Sequence, residues 1–486
     1  MILTQEQAFL KAEKQLQELM ASVRQAADQG QRVDQVERTV MAQLLQMGLS
    51  LLTAFVARHG DGDVGETIVM SDGETGRRLD EPHERRYLSI FGDLTIRRRV
   101  YGSREGQKIV AAPLDARLGL PAGDFSYVLE DWVQRFGVQD SFAEAGRSLA
   151  CLLGLHLHSR TLEHMNRELA DWTPCFRDLQ PSPPAREEGA LLVVTADGKG
   201  VPMRRPLEER VRAPHRRGKG EKANKKQMSY VGAVYSIDRF VRSADEVIDE
   251  LQRRQRAAQR PKPCHKRVWV EMTQVLEGDT INGKEMLFVS LANEAGARDQ
   301  GGRKPLVCLL DGEKALWEWY REYLPEAVGI LDLFHVLERL WLAAHCFHAE
   351  GSEAAAAFVT ERLRMLLEGN VGKLIGGLRQ MRTKQRLTGS KAQTLGSVIG
   401  YLDNNREHMH YDEYLAAGYP IGSGVAEGAC RHVVKDRMER SGMRWTVQGA
   451  QAMLHLRTIY LNGDWDTFID YRIQAEQTAL YGKRAT

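Results

Sequence analysis

Five short apolar runs between residues 191 and 331 constrain the fold more than any other feature of this sequence. They have the length and composition of buried strands and occupy residues 191–194, 230–237, 268–272, 306–310 and 327–331. A helical pattern fills residues 281–295, and a second one with Trp317, Trp319 and Tyr320 separates the last two runs. Three strands, helix, strand, helix, strand is an ordered signature that predicts an α/β domain.

Helical patterns surround and interrupt this domain. Residues 334–415 have helical spacing throughout, which predicts an all-helical insertion, and the last seventy residues are mostly helical as well. The first sixty residues also predict helix, because six apolar residues recur at steps of three and four: Val33, Val36, Val40, Leu44, Met47 and Leu51.

The region between these parts predicts a β-hairpin followed by three short helices. Leu88, Ile90, Leu94 and Ile96 alternate around Gly92-Asp93, which is typical of a hairpin. Between residues 126 and 172, a capping box at Ser141 and a Gly154 turn separate helical segments, and this pattern predicts a helix-turn-helix. An ordinary helical hairpin gives the same pattern.

A proline-rich linker at residues 181–184 predicts the main domain boundary. The predicted organisation is an N-terminal helical region (1–60), a β-hairpin region (61–122), a helix-turn-helix region (123–180), an α/β domain in two parts (186–345 and 416–486) and a helical insertion (346–415).

Several classes of protein are excluded by what the sequence lacks. It has no P-loop, G-x-G-x-x-G or G-x-S-x-G motif and no secretory signal. Its 6 cysteines include no C-x-x-C pair, which favours free thiols in a reducing cytosol. The longest nearly uncharged apolar stretch, residues 44–57, is shorter than the ~18 residues of a membrane span, so a cytoplasmic protein without a membrane segment is expected.

Two aspartates come directly after predicted strands. Asp197 follows the first strand and Asp311 the fourth, each before a glycine. If these strands are neighbours, the carboxylates meet at one edge of the sheet, where they would repel each other unless they bind Mg²⁺ or Mn²⁺. Two such ions can activate one oxygen and stabilise the departing one at a phosphodiester. For either aspartate alone, a simple Asp-Gly turn is the ordinary explanation.

A third carboxylate is expected from a helix beside the strands. The segment 419–435 contains Gly422-Ser423-Gly424, which permits a tight turn and a helix cap, and Glu427 lies in the first turns of that helix. Arg431 and Lys435 share its helical face and are suited to a phosphate. A first-turn glutamate favoured by the helix dipole is the alternative.

Four blocks of sequence resemble one family. They are Val-Thr-Ala-Asp197-Gly-Lys-Gly-Val-Pro, Leu-Leu-Asp311-Gly-Glu, Leu-Asp332-Leu-Phe-His335-Val-Leu-Glu and Pro-Ile-Gly-Ser-Gly-Val-Ala-Glu427-Gly. In this order they resemble the ISKra-type insertion-sequence transposases and, more broadly, the Mutator-related DDE transposases. The resemblance runs from about residue 190 to 475 and is weaker upstream.

The resemblance implies an RNase H-like catalytic domain with an all-helical insertion before its glutamate. It also implies that Asp197, Asp311 and Glu427 bind two Mg²⁺ or Mn²⁺ ions, and that Asp332 and His335 form a D-x-x-H block. We expect His335 to act at the catalytic site, although a lone histidine is more often a packing residue. His345, Cys346 and His348 lack a second pair of ligands for zinc, and Trp445 is expected to be a buried anchor rather than a base-stacking residue.

DNA contacts are predicted in three places. Arg160, His164, Asn166 and Arg167 are expected to point outward from the third helix of the helix-turn-helix region. Residues 204–226 contain ten Lys/Arg and three Glu, and residues 253–267 contain seven basic residues and no acidic one. We expect both segments to lie near the active edge and to bind a polyanion, with the phosphate contacts predicted at Arg216, Arg217, Lys219, Lys225 and Lys226. The formal net charge of +2 therefore hides an excess of eleven positive charges within residues 191–270.

The leading hypothesis is a transposase that binds the double-stranded ends of its element and joins them to target DNA. It would be bacterial, cytoplasmic and nucleoid-associated, and a homo-oligomer on DNA, since two ends must be held together. An RNase H-like nuclease without strand transfer and a domesticated DNA-binding protein are the alternatives. The role of residues 1–60 is open at this point.

Overall fold

A computed structural model of the chain describes residues 5–69, 75–102, 109–204, 226–252 and 260–482. These residues form two compact units. The N-terminal unit comprises the described parts of residues 1–176 and 464–486, and the sheet unit comprises those of residues 177–463. The boundary lies a few residues before the predicted proline-rich linker. The protein is mixed α/β with a mainly helical N-terminal region, as the sequence predicts.

The N-terminal unit combines helices with short strands. Its helices are α1 (Gln5–Asp28), α2 (Val33–Arg58), α3 (Pro113–Leu118), α4 (Tyr127–Gly137), α5 (Phe142–Leu153), α6 (Ser159–Ala170) and α7 (Thr173–Asp178), which ends at the boundary. Its strands are β1 (Thr67–Val69), β2 (Thr75–Arg78), β3 (His83–Ser89), β4 (Gly92–Arg98), β5 (Tyr101–Gly102) and β6 (Ile109–Ala111). The strands β3 and β4 form the predicted hairpin, while β1, β2, β5 and β6 form a four-stranded sheet whose strands are too short for the sequence to predict.

Helices α4, α5 and α6 pack around one apolar cluster. The capping box at Ser141 starts α5 as predicted, and Gly154 ends it in the left-handed conformation with φ +69°. Leu129, Leu149 and Leu162 are fully buried where the three helices meet. This confirms the three predicted helices.

The last helix of the described chain, Trp465–Tyr481, clusters with the N-terminal unit. Trp465 Nε1 donates to Asp131 at 2.7 Å, and the rings of Phe468 and Phe176 lie 5.1 Å apart. These contacts divide the chain differently from the sequence-based expectation, which assigned all of residues 416–486 to the α/β domain.

The sheet unit is built on five strands. They are β7 (Leu191–Pro202), β8 (Lys226–Ile237), β9 (Cys264–Met272), β12 (Leu306–Leu310) and β13 (Val328–Leu331), and their order is β13-β12-β7-β8-β9. The strand β7 is antiparallel to β8 and parallel to β12, and β13 is parallel to β12. All five predicted strands are confirmed. A small hairpin, β10 (Gln274–Leu276) with β11 (Asp279–Ile281), was not predicted.

Helices surround the sheet, and the insertion is helical as predicted. They are α8 (Ala244–Leu251), α9 (Gly283–Arg298), α10 (Lys314–Tyr323), α11 (Leu333–Phe347), α12 (Glu353–Leu367), α13 (Val371–Lys384), α14 (Gly389–Asn404), α15 (Tyr411–Ala416), α16 (Gly424–Ala429), a π-helix (Cys430–Lys435), α17 (Asp436–Met438) and α18 (Val447–Asn462). One apolar core joins the strands to α9, α11 and the insertion helices.

The helix α2 is longer and more apolar than the stretch identified from the sequence. Its 26 residues are long and apolar enough to cross a membrane by length and composition alone. One such helix is a weak indication, because helices of soluble proteins and signal sequences pass the same test. Of the six apolar residues that the sequence places on one face, Val33, Leu44 and Leu51 are exposed.

A buried ion pair holds α9 to the start of the sheet. Arg298 donates through Nε to Glu188 Oε1 at 2.7 Å and through Nη2 to Glu188 Oε2 at 2.7 Å. The two side chains are 0% and 1% exposed. Nη1 also donates to the carbonyl of His265 at 2.9 Å, so one guanidinium joins α9, β9 and the residues before β7.

We expect Arg298→Met to lower the free energy of unfolding by about 3–5 kcal/mol, because it leaves the Glu188 carboxylate buried without its partner. Chemical denaturation followed by circular dichroism measures the change. Arg303→Met, at an exposed position nearby, should stay within about 0.5 kcal/mol. Adding Glu188→Gln to Arg298→Met should recover part of the loss, and an undiminished loss would contradict this explanation.

Candidate active site at the edge of the sheet

The register of β7 and β12 brings Asp197 and Asp311 to the same edge. Leu310, the last residue of β12, lies beside Ala196 of β7. Asp197 and Asp311 are the next residues of two parallel strands, which run about 4.8 Å apart. Both side chains are half-buried. The sequence-based expectation that these two carboxylates adjoin is therefore confirmed.

The two aspartates sit in different backbone environments. The strand β7 continues through Asp197 to Pro202, paired with β8 along its whole length, so the Asp-Gly turn that is the alternative explanation for Asp197 is absent. Asp311 does begin a turn: its Oδ1 accepts from the Glu313 N–H at 2.8 Å, and Gly312 has φ +88°. The Tyr401 hydroxyl of α14 donates to the Asp311 carbonyl at 2.7 Å. The helical insertion thus fixes the backbone that presents Asp311.

Asp332 lies at the end of β13 and organises the next part of the edge. It is 2% exposed, and its Oδ1 caps α11 by accepting from the Phe334 N–H at 2.8 Å. Its Oδ2 accepts from the Ser423 N–H at 3.0 Å and from the Ser423 hydroxyl. Asp332 is consequently a buried, fully engaged carboxylate that holds the Gly-Ser-Gly turn in place.

His335 lies one turn into α11 and faces the aspartates. Its Nδ1 is 3.8 Å from Asp332 Oδ2, and its side chain is 36% exposed. The interaction with the Asp332 carboxylate raises the pKa of His335 to about 9, and the charges of Asp311 and Asp197 add to this rise. The imidazole is therefore protonated at neutral pH, and a positive charge stands beside the two carboxylates.

Burial raises the pKa of Asp311, and the negative charge of Asp197 raises it further. Such a pair of carboxylates suits a hard divalent cation, since Mg²⁺ and Mn²⁺ prefer oxygen ligands and remove the repulsion between them. Within the described ranges, no group of three His, Cys, Asp or Glu side chains is arranged to hold a metal ion. The donors present at this edge are two adjoining carboxylates, which fit the cation but do not complete its coordination.

Glu427 is exposed on the short helix α16 and does not form such a group with the aspartates. The chain then continues as the π-helix, which packs against β7 and begins at Cys430, whose thiol interacts with the Asp197 carboxylate. Burial, with the nearby charge of Asp197, raises the pKa of the Cys430 thiol. Sequence reasoning missed Cys430 and Tyr401, because a π-helix and a contact from a distant helix leave no signature in local spacing.

Basic residues occur near this edge, but several are already paired. Arg431 and Lys435 are exposed, and Arg431 Nε lies 3.9 Å from Asp436. Lys226 is paired with Glu439 at 2.5 Å. The predicted DNA contacts Arg216, Arg217, Lys219 and Lys225 lie outside the described residues, between Arg204, two residues after β7, and Lys226 at the start of β8.

The second basic segment differs from expectation. It enters β9 at Cys264, which pairs with Ser236 near the far end of β8, whereas Asp197 pairs with Val231. Its described arginines are also neutralised: Arg260 pairs with Glu250 at 2.7 Å and Arg267 with Glu294 at 3.3 Å. The prediction that the start of this strand lies at the active edge is wrong, because β9 runs antiparallel to β8.

The helix-turn-helix residues separate into two groups. Arg160, His164 and Arg167 are exposed on α6 as predicted. Asn166 is 1% exposed, and its Nδ2 donates to Gln134 Oε1 at 2.8 Å, so the prediction that it points outward is wrong. Asn166 lies four residues after Leu162 and three before Leu169, on the helix face that packs inward.

The ordinary explanation holds for Trp445. Trp445 is 8% exposed, and its Nε1 donates to the Met438 carbonyl at 3.1 Å, which makes it a buried anchor. Cys346 is buried and belongs to no metal-holding group among the described residues.

Neither the models of known protein families nor the curated proteins give a match to this chain.

We expect the His335 imidazole of the metal-free protein to titrate with a pKa of about 9 rather than 6.5. Its ion pair with Asp332 should stabilise the fold fully below pH 6.5 and lose this effect as the pH rises through about 9. Asp332→Asn should bring the pKa down. NMR titration of the ring carbons in EDTA measures it, with His335→Asn for assignment.

The matched control for this titration is Asp279→Asn, which removes an exposed carboxylate from β11. It should leave the His335 pKa unchanged. An equal fall in both variants would mean that general charge, rather than Asp332, sets the protonation of His335.

Proposed function

We propose that this protein is a DDE-type DNA transposase that resembles the ISKra-type and Mutator-related enzymes. It would bind the ends of its insertion sequence, hydrolyse a phosphodiester bond and transfer the resulting 3′ end into target DNA. The proposal rests on one observation above the others: Asp197 and Asp311 adjoin at the ends of parallel strands, with the protonated His335 beside them.

The architecture supports an RNase H-like assignment of the sheet unit. A five-stranded mixed sheet carries both carboxylates on neighbouring strands, and helices α11 to α15 interrupt the domain before Glu427. This is the arrangement that the resemblance implies. Glu427 is assigned as the third carboxylate on the resemblance alone, since it is exposed in the structure.

Asp197 and Asp311 would hold the metal. Two Mg²⁺ or Mn²⁺ ions, when bound, supply activation of the attacking oxygen and charge neutralisation at the departing one. His335 contributes a fixed positive charge that favours a phosphate at this edge. Asp332 is a positioning residue, because its hydrogen bonds go to Ser423 and to the start of α11 rather than outward.

DNA binding is assigned to exposed cations on both units. Arg160 and Arg167 on α6 are available for element ends, while Arg431 and Lys435 are exposed on the helix next to the aspartates. Residues 205–225 add further positive charge between β7 and β8. Phosphate contacts of this kind make affinity strongly dependent on salt.

We expect Asp311→Asn to reduce cleavage and strand transfer by at least about a hundredfold, because it removes one of two adjoining metal ligands. Binding of DNA should be nearly unchanged. The variant should fold at least as stably as the parent, since the pKa of Asp311 is raised and its charged form is unfavourable. The assay uses a donor plasmid with the DNA that flanks the gene, a target plasmid and Mg²⁺ or Mn²⁺.

Asp279→Asn is the control for this assay and should retain full activity. Strand transfer that survives Asp311→Asn would refute the assignment of the site. If the parent enzyme gives only hydrolysed ends and Asp311→Asn abolishes them, the protein is a nuclease without strand transfer.

We also expect the double variant Arg431→Gln/Lys435→Gln to bind DNA more weakly and with less salt dependence. Loss of two phosphate contacts should reduce the slope of log K against log salt by about 1.8, at about 0.9 per contact. Fluorescence anisotropy with a labelled duplex over a salt series measures the slope. Arg186→Gln, whose side chain is 86% exposed, is the control. An unchanged slope would remove both residues from the interface.

A further inference from the structure

The hairpin of α1 and α2 carries an exposed apolar face. We define this hairpin face by eight large side chains that are 38–53% exposed: Phe9, Leu16, Met20 and Val23 on α1, and Met41, Leu44, Leu51 and Phe55 on α2. Helices of a monomer normally turn such a stripe toward a core. Here the stripe faces outward, although α1 and α2 already pack on each other.

The eight side chains share one side of the hairpin. On α1, Phe9 and Met20 follow the buried Ala8 and Leu19 by one position, and Leu16 and Val23 follow the half-buried Gln15 and Ser22, in each case a rotation of about 100°. On α2, Ser50 and Ala54 are buried, and Leu51 and Phe55 follow them by one position. Because the helices are antiparallel, equal offsets turn both stripes to the same side.

A hydrogen bond fixes how the two stripes meet. The Ser22 hydroxyl lies 3.3 Å from Gln43 Oε1, so residues whose numbers add up to about 65 are opposite each other. Met20 is then level with Leu44, and Phe9 with Phe55. The two stripes therefore lie side by side, and the ring of Phe91, from the turn between β3 and β4, packs on Gly48 between Leu44 and Leu51.

The spacing of the face indicates what covers it. Met41, Leu44, Leu51 and Phe55 follow the alternating three-and-four steps of a coiled-coil seam, and Leu16, Met20 and Val23 follow the same steps on α1. Gly48 occupies the remaining position on α2, where the ring of Phe91 packs against it. Such a seam packs best against other helices of the same spacing. A sheet or an extended peptide would not need it.

We propose that the hairpin face is a dimer interface, on which the same face of a second copy packs to form a four-helix bundle. About half of each of eight large side chains amounts to on the order of 700 Å², close to the roughly 800 Å² that each partner contributes to a stable interface. A self-complementary face of this kind closes with two-fold symmetry. The inference does not depend on the proposed enzymatic function.

The charges of the hairpin favour self-association over a membrane. Residues 5–58 contain six acidic and six basic side chains, so two copies do not repel each other. Helices that lie on anionic membranes are instead rich in lysine and arginine on their polar face. The apolar character of α2 is thus better explained by a protein partner.

Sedimentation equilibrium of the full chain, free of DNA and with EDTA, tests the proposal. The parent protein should sediment at twice its 54.9 kDa mass at micromolar concentration. Leu44→Lys/Leu51→Lys should raise the dimer dissociation constant at least tenfold, and Met20→Lys on the other helix should act in the same direction. Circular dichroism and thermal unfolding establish that the variants remain folded.

The matched control is Leu10→Lys/Leu152→Lys, which charges two leucines that are 62% and 50% exposed outside the hairpin face. It should remain a dimer. A monomeric parent protein, or a dimer that survives both sets of face variants, would overturn the proposal. So would binding of the parent to phosphatidylcholine–phosphatidylglycerol vesicles that the face variants abolish, which would assign the face to a membrane.

Discussion

The parallel pairing of β7 with β12 is the constraint on which the rest of the sheet unit depends. Parallel strands present their carboxyl ends at one edge, so the residues after Ala196 and Leu310 must adjoin. A parallel pair cannot be joined by a tight turn, and the chain passes through β8, β9 and α9 before it returns as β12. The strands β7 and β8 form a long antiparallel ribbon that continues past Asp197 to Pro202 and Lys226. The strand topology alone therefore determines which residues lie at this edge of the sheet.

That topology imposes an electrostatic cost, which the surrounding residues reduce in different ways. Two half-buried carboxylates adjoin, and the pKa of Asp311 rises through burial and the charge of Asp197. His335 lowers this cost with its positive charge, and Asp332 keeps that charge in place. Asp332 itself accepts three hydrogen bonds and lies beside the His335 imidazolium, and its pKa is below its ordinary value despite burial. An edge that concentrates negative charge in this way is better suited to bind a cation than to stabilise the fold.

Much of this arrangement follows from the sequence, and the remainder fails for identifiable reasons. Hydrophobic periodicity and strand ends are local signals, so the sequence predicts that each aspartate follows a strand. That the two carboxylates adjoin depends on the pairing of β7 with β12, which is not a local signal. Asn166 is buried although its polarity favours an outward position, because its spacing from Leu162 and Leu169 places it on the inward face. The contact of Cys430 with Asp197 occurs where the π-helix begins, and the wider turn of a π-helix changes which residues share a face. The position of the second basic segment depends on strand direction, which composition does not encode.

The helical insertion is long, but its two ends are held together at the sheet edge that carries the aspartates. It leaves the sheet at Asp332 and returns at Ser423, and one carboxylate binds both ends. The Leu333 N–H donates to the Ile421 carbonyl at 2.9 Å, so the two ends are also joined through the backbone. Closing a loop costs entropy that grows only slowly with its length, so ends fixed in this way tolerate a large helical subdomain between them. The insertion also stabilises this edge of the sheet, because the Tyr401 hydroxyl donates to the Asp311 carbonyl and the Tyr401 side chain packs against Gly312. A side chain larger than glycine at position 312 would meet the Tyr401 hydroxyl, so the turn after Asp311 and the insertion can only change together.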